Sequence, residues 1–312
     1  MNILQLLNMM PGAVGQGLIW GIMAIGVYIT YRILDIADLT VDGTIATGGC
    51  VAVILITRFG WNPWAAMLIA FGAGMLAGLV TGVLHSVMGI PAILAGILTQ
   101  LAQYSIDLRI MTDPVTLHSR ANVSINLRKF PVALSSSKVL TAALDNPIWL
   151  MLLVTVAVIA LMYWFFGTEY GCALRAVGAN GQMARAQGIN TSLGKVVGLM
   201  LSNGLVAFSG ALLSQYQGFA DVQMGRGAIV IGLAAVIIGE VIFGRLFRNF
   251  GLKLLAVSLG AIIYYMVIQI VLWLGLTTDD LKMLTALVVA VFLSVPNIKN
   301  RLLRGKGAKA RA

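Results

Sequence analysis

Six ionisable side chains stand where the surrounding sequence is apolar or rich in glycine: Asp38, Asp42, Asp107, Asp221, Arg226 and Glu240. In lipid such groups are costly, so each is a candidate functional residue by default. Four of them lie in two stretches too polar and too rich in glycine for ordinary spans, residues 35–49 (DIADLTVDGTIATGG) and 218–227. Irregular backbone at membrane depth is tolerated only where protein buries it or where it lines water. On that footing Asp38, Asp42, Gly43, Asp221, Arg226 and Gly227 border a passage, orienting or gating a zwitterionic solute. The plainer chemistry is capping, because aspartate accepts hydrogen bonds from the free N–H groups that open a helix. Capping is the favoured role for Asp42 and Asp221. Glu240, preceded by Gly239 and followed by Arg245, reads as half of an ion pair at a helix end rather than as a proton relay.

Catalytic constellations are missing from the pattern. His85 and His118 are isolated, and Cys50 and Cys172 have neither metal-ligand nor disulfide spacing. The run GINTSLGKV at 188–196 resembles a phosphate loop only superficially: its glycines are one residue too far apart and no Ser or Thr follows Lys195. The chain is therefore expected to be no enzyme, to hold no metal or cofactor, and to draw its energy from another polypeptide or an ion gradient.

The elements that position these residues follow from composition. Of 312 residues, 59% are hydrophobic and 10% charged, against about 25% charged in soluble domains; mean hydropathy is +0.94. Several runs reach the roughly 20 residues that a bilayer-crossing helix needs, and 35 glycines allow close helix contacts. The fold class is an all-α polytopic membrane protein of about nine spans, within a range of about 8–10. A short interfacial helix over 2–10 should stop at Pro11-Gly12. Spans follow over 17–34, 50–56 as the helical half of a broken element, 62–87, 92–110, 147–166, 196–216, 228–243, 254–274 and 284–295. Trp20, Met23, Tyr28 and Phe208 should pack the bundle.

Basic residues gather in the 168–195 loop, at Arg245, Arg248 and Lys253, and in the tail, while 277–280 is acidic. This favours an outside N-terminus and a cytoplasmic C-terminus. The net charge of +10 then reflects membrane sidedness and some attraction to anionic lipid, not nucleic acid. Residues 111–146 form the long outer connection, with Arg120, Arg128 and Lys129.

An internal match relates ADLTVDGTI at 37–45 to ADVQMGRGAI at 220–229. Each follows a long span and precedes a glycine-rich apolar run. The spans before them cross in opposite directions, the pattern of inverted repeats with broken helices beside a substrate path.

Between the halves lies a polar, basic stretch read as two short helical pieces joined at 178–181. It runs GCALRAVGAN at 171–180 and then ARAQGIN at 184–190. These residues, with Ser202, Gly204, Gly210-Ala211-Leu212 and Gly239-Glu240, resemble the coupling-loop region of ABC importer permeases of the branched-chain amino acid and monosaccharide type. Within that family the chain looks like a less characterised subgroup linked to aromatic amino acid (tryptophan and tyrosine) uptake. The resemblance implies an ATPase-docking set of Gly171, Leu174, Arg175, Ala176, Val177, Gly178, Asn180, Ala184, Arg185, Gly188 and Ile189. It implies one permease domain: repeat one about 12–167, coupling loop 168–195, repeat two about 196–297, and basic tail 298–312. Its implied partners are cytosolic ATPase subunits holding ATP-Mg, an external binding protein received by Arg120, Arg128 and Lys129, and a second copy in a homodimer. Its implied place is the bacterial plasma membrane. An ion-coupled secondary transporter remains the alternative that broken helices and a repeat suit equally.

Overall fold

The computed structural model describes residues 3–113, 120–125, 147–244, 246–247, 249–274 and the single positions 283, 286, 287 and 290. The expected span over 284–295, the tail, and Arg128, Lys129, Arg245 and Arg248 lie outside the described residues or nearly so. Helix α1 runs Ile3–Tyr28 without a stop at Pro11, which sits inside it. The expected separate helix over 2–10 is thus fused to the first span. A proline removes one backbone donor, which an apolar membrane helix tolerates more readily than a soluble one. A π-helical turn, Ile29–Ile33, extends α1, closed by Leu34 N donating to the Ile29 carbonyl at 3.0 Å. Asp35 then takes φ +55°, a conformation aspartate tolerates better than most residues, and the helix ends.

The irregular part of the first broken element is confined to 35–40. Helix α2, Val41–Thr57, already contains the polar, glycine-rich residues 41–49 that composition assigned largely to loop. They stay helical because their polar groups have partners: Thr44 and Thr47 lie 3.0 and 3.1 Å from the carbonyls of Thr40 and Gly43 and also bond across to other helices. Helices α3 (Pro63–Ser86), α4 (Ala92–Met111) and α5 (Pro147–Gly167) follow the apolar runs closely. Asn62 caps α3 by accepting from Trp64 N at 3.0 Å, with Pro63 at the first helical position. Two short helices, α6 (Glu169–Ala179) and α7 (Gly181–Ala186), precede the long α8 (Thr191–Gln217). Gly218, at φ +79°, ends α8. Helices α9 (Ala228–Phe243) and α10 (Phe250–Trp273) complete the described bundle.

Helix α8 is central and largely buried. Helix α3 crosses it antiparallel, with Gly74 against Asn203, Gly78 against Leu199 and Gly82 against Val196, each so close that a methyl group would collide. Such backbone approach is how helices associate in lipid, where no hydrophobic force separates helix from solvent. Helix α1 lies antiparallel to α8 on another side: Ser209 donates to the Ile19 carbonyl and Ser202 to the Gly26 carbonyl, both at 2.8 Å. Helix α10 in turn lies antiparallel to α1, Gly17 meeting Ile262 and Gly21 meeting Ser258. Trp20, Met23 and Tyr28 are buried and Phe208 partly so, all in the bundle core. Helices α3, α4 and α5 turn Leu68, Leu76, Ile93, Leu101, Leu153 and Leu161 outward, an apolar belt facing lipid. Among the described residues five helices are long and apolar enough to cross a membrane, and α2 and α9 are shorter apolar helices.

One strand pair is described. Strand β1 (Asn122–Ser124), from the long hydrophilic connection, pairs antiparallel with β2 (Phe219–Asp221), Val123 opposite Ala220.

Candidate functional site: a polar centre and a two-helix knob

The irregular backbone after α1 delivers Asp38 into the bundle, where it is 2% exposed. Its Oδ1 accepts from Thr40 N at 2.9 Å and its Oδ2 from the Asn203 amide at 2.7 Å. Asn203, on α8 and fully buried, accepts from Thr44 at 2.8 Å, and Thr44 accepts from Gln103 of α4 at 3.1 Å. Thr40, Thr81 and Thr99 join α2, α3 and α4 through hydroxyl contacts of 2.8 and 2.9 Å. Further along α4, Asp107 accepts from Thr47 at 3.1 Å. Gln103 and Asp107 lie on one α4 face by i, i+4 spacing, which is why Thr44 and Thr47 of α2 meet them. Gly43 lies against the Gln103 amide, which would have to move to admit a side chain there.

Asp42, half-buried in the first turn of α2, does not cap its own helix. Its carboxylate accepts from Gly227 N at 3.0 Å and Ile229 N at 2.9 Å, the opening of α9. Gly227 needs to be glycine: its φ is +87° and it holds the residue before the first turn of α9. Gly225 sits on the Asp42 carbonyl, again without room for a methyl group. The two broken elements therefore meet in mid-bundle, one supplying the cap of the other. Asp221 lies farther out, accepting from Gln223 N at 2.6 Å within its own turn and from Asn122 at 3.5 Å. Arg226 is exposed. Glu240 pairs at 3.0 Å with Arg32 from the π-turn of α1, a partner that its sequence neighbourhood did not suggest.

The knob is held to the opposite end from the strand pair. Thr168 caps α6 by accepting from Gly171 N at 3.3 Å, and Asn180 caps α7 by accepting from Gln182 N and Met183 N at 3.1 and 3.0 Å. Gly188, at φ +82°, ends α7, with Ile189 N closing on the Ala184 carbonyl at 3.0 Å. Asn190 then caps α8 through Leu193 N at 3.1 Å. Gly171, Leu174, Val177 and Ala184 are buried against the bundle. Gly178 has no positive φ; it is small because it presses on the carbonyl of Ile33 at the end of α1. Arg175 donates to the Phe166 carbonyl, and Arg185 to Thr191 at 3.0 Å. Met183 projects outward, 63% exposed at the tip of α7.

Arg32, Asn122, Met183 and Asn203 escaped sequence reasoning. Asn203 hides in an apolar run, although an amide amid leucines and glycines is itself a signal. Arg120 lies on the strand-pair side, paired with Asp113 at 3.3 Å. His85 meets the Ile90 carbonyl at 2.9 Å, and no metal-binding cluster occurs among the described residues.

A multi-helix membrane bundle with a polar centre where two irregular stretches meet, and a compact knob at one end, suits a membrane transport protein. The chain belongs to the family described as branched-chain amino acid transport system / permease component, which matches residues 9–295. Its members are transport components of ABC type, for amino acids or sugars. The chain is 40% identical over 283 residues to a tyrosine transport system permease protein of Clostridioides difficile (strain R20291), covering 91% of this chain and 90% of that one. It is 32% identical over 295 residues to an uncharacterized protein of Rickettsia prowazekii (strain Madrid E), covering 94% and 99%. It is 28% identical over 198 residues to the autoinducer 2 import system permease protein LsrC of Yersinia pestis (strain Pestoides F), covering 62% and 52%. No solved structure matches the chain.

Proposed function

We propose that this chain is the membrane subunit of an ATP-driven importer for a small amino acid-like solute, with an aromatic amino acid such as tyrosine as the substrate to test first. The observation that carries the ATP-driven reading is the knob: α6 and α7 are capped, seated on the bundle by Leu174, Val177 and Ala184, and present Met183 outward. A rigid, exposed knob suits docking into a cleft of a cytosolic ATPase, which would bind ATP-Mg. Gly178 on Ile33 and Arg185 on Thr191 tie it to the ends of α1 and α8. A push on the knob then reaches the 35–40 turn and Asp38. The tyrosine-transport relative motivates the substrate class.

The packing supports an inverted repeat relating α1–α2–α3 to α8–α9–α10. Helix α2 runs parallel to α8, Thr44 beside Asn203 and Gly48 beside Ala207. Helix α9 likewise runs parallel to α1, Gly232 beside Val27 and Glu240 beside Arg32. Helix α3 is antiparallel to α8 as α10 is to α1. Asp38 and Asp221 make the same turn, each accepting from the backbone N–H two residues on. On this reading the chain makes about nine crossings, with its N-terminus outside and its tail in the cytoplasm. A homodimer with an external binding protein, received near Arg120, Arg128 and Lys129, completes the assembly in the bacterial plasma membrane.

The test is uptake of labelled tyrosine into proteoliposomes holding the permease and the ATPase that co-purifies with it, with the binding protein added outside. Uptake that needs enclosed ATP and survives ionophores supports the reading. Uptake driven by an ion gradient without ATP overturns it in favour of a secondary transporter.

A further inference from the structure

At the knob end, α1, α6 and the first turn of α10 enclose a cleft of about 390 Å³ lined by Tyr28, Arg32, Arg175, Gly178, Phe250 and Lys253. Three cationic side chains line it, and among the described residues no carboxylate does. Glu240, which is not among the lining residues, pairs with Arg32 at 3.0 Å and balances one of the three charges, leaving those of Arg175 and Lys253. Arg175 is pinned by the Phe166 carbonyl and by the Phe250 ring, 5.2 Å from its guanidinium carbon. Its Nε and Nη1 have no partner among the described residues, and neither has the ammonium of Lys253, which is exposed. Basic groups brought together with donors unspent are arranged for an anion with several acceptor oxygens.

Depth identifies the anion's carrier. The cleft adjoins a second one, about 540 Å³, that shares Arg175 and Phe250 and is walled by Tyr163 and Trp164 at the end of α5. Those two rings are 56% and 71% exposed. Exposed Tyr and Trp at the end of an apolar helix mark the headgroup level of a bilayer. We propose that the Arg32–Arg175–Lys253 cleft binds the phosphate of an anionic phospholipid headgroup, with the acyl chains leaving over Tyr163 and Trp164. The bound headgroup bridges the first knob helix to α1 and α10. This makes α6 sensitive to lipid composition, and it holds whatever solute the bundle carries.

The experiment uses the full chain purified from membranes into nanodiscs of phosphatidylcholine doped with phosphatidylglycerol, followed by native mass spectrometry of the most tightly retained lipid. Wild type is expected to retain phosphatidylglycerol over phosphatidylcholine. Lys253→Glu changes the local charge by two units, and at about fivefold per charge near a membrane surface it lowers that preference about 25-fold. Lys253→Gln lowers it about fivefold and serves if the reversal misfolds. The basic tail is unchanged in both variants, so a preference that persists in both assigns selectivity to the tail and overturns the proposal, as does equal retention of both lipids by wild type. In lipid-depleted detergent, inorganic pyrophosphate should leave the melting temperature unmoved while phosphatidylglycerol raises it. A pyrophosphate shift that Lys253→Gln abolishes would give the cradle to a soluble phosphate compound and overturn the lipid assignment.

Discussion

Substituting Asp42 tests whether the two broken elements are held together as the geometry requires. Leucine at this position removes two acceptors, at 3.0 and 2.9 Å from Gly227 N and Ile229 N. Hydrogen bonds to a charged group are each worth about 1.5–3 kcal/mol, whereas loss of a helix cap costs about 0.5–2 kcal/mol. Asp42 is only half-buried, so water replaces part of the loss, and about 2–4 kcal/mol is the expected total. For a chain of this size roughly 2 °C accompanies each kcal/mol, so Asp42→Leu should lower the melting temperature in detergent by about 4–8 °C. Asparagine keeps one oxygen acceptor but turns donors toward a donor, and should cost about 1–2 kcal/mol. Asp221 makes a turn contact in a half-exposed position, so Asp221→Leu should cost about 0.5–1 kcal/mol. The order of melting temperatures is therefore Asp221→Leu, then Asp42→Asn, then Asp42→Leu, falling. Uptake by Asp42→Asn should stay within a few-fold of wild type. A wild-type melting temperature for Asp42→Leu refutes the capping argument. An Asp42→Asn protein that is stable but transports nothing shows that the charge serves the passage instead.

Asn203→Leu strips buried Asp38 of its 2.7 Å amide donor; losing one hydrogen bond of that kind costs about 1.5–3 kcal/mol, so the melting temperature in detergent should fall by about 3–6 °C. Gly178→Leu forces α6 off the Ile33 carbonyl while leaving the spans intact; the bundle should melt near wild type, but the co-purified ATPase should fall by about tenfold, equivalent to about 1.4 kcal/mol of docking. Reversing Arg120, Arg128 and Lys129 together should slow uptake most at low ionic strength, because charge complementarity acts chiefly on encounter; a rate independent of salt and equal to wild type removes the binding-protein dock.

Spans were legible because lipid imposes one simple rule, a long apolar run with its backbone bonded internally. Composition placed α3, α5 and α9 almost to the residue for that reason. Composition misjudged residues 41–49 because polarity usually signals loop, yet Thr44 and Thr47 spend their hydroxyls inside the bundle. Pro11 misled in the opposite direction, reading as a stop in a helix that continues. Gly178 was legible as a glycine that matters, but its reason, a neighbouring carbonyl, belongs to tertiary structure. Pairs such as Arg32 with Glu240 and Asp38 with Asn203 join distant parts of the chain, and no local period announces them. The joint at 178–181 was legible because the knob's caps are local, Asn180 and Asn190 each bonding within three residues.

The Asp42 cap also has a consequence for biogenesis. Its two backbone partners lie 185 and 187 residues later in the chain. At ribosomal speeds of about 5–20 residues per second, they emerge roughly 10–40 s after Asp42 itself. Throughout that interval the Asp42 carboxylate lacks its two α9 donors, and Asp38 waits nearly as long for Asn203. The first half of the chain therefore lacks partners that only the second half supplies, and the knob between the halves is made before either aspartate finds them. Interruption of synthesis before α9 leaves Asp42 without both partners, and interruption before residue 203 leaves Asp38 without Asn203 as well.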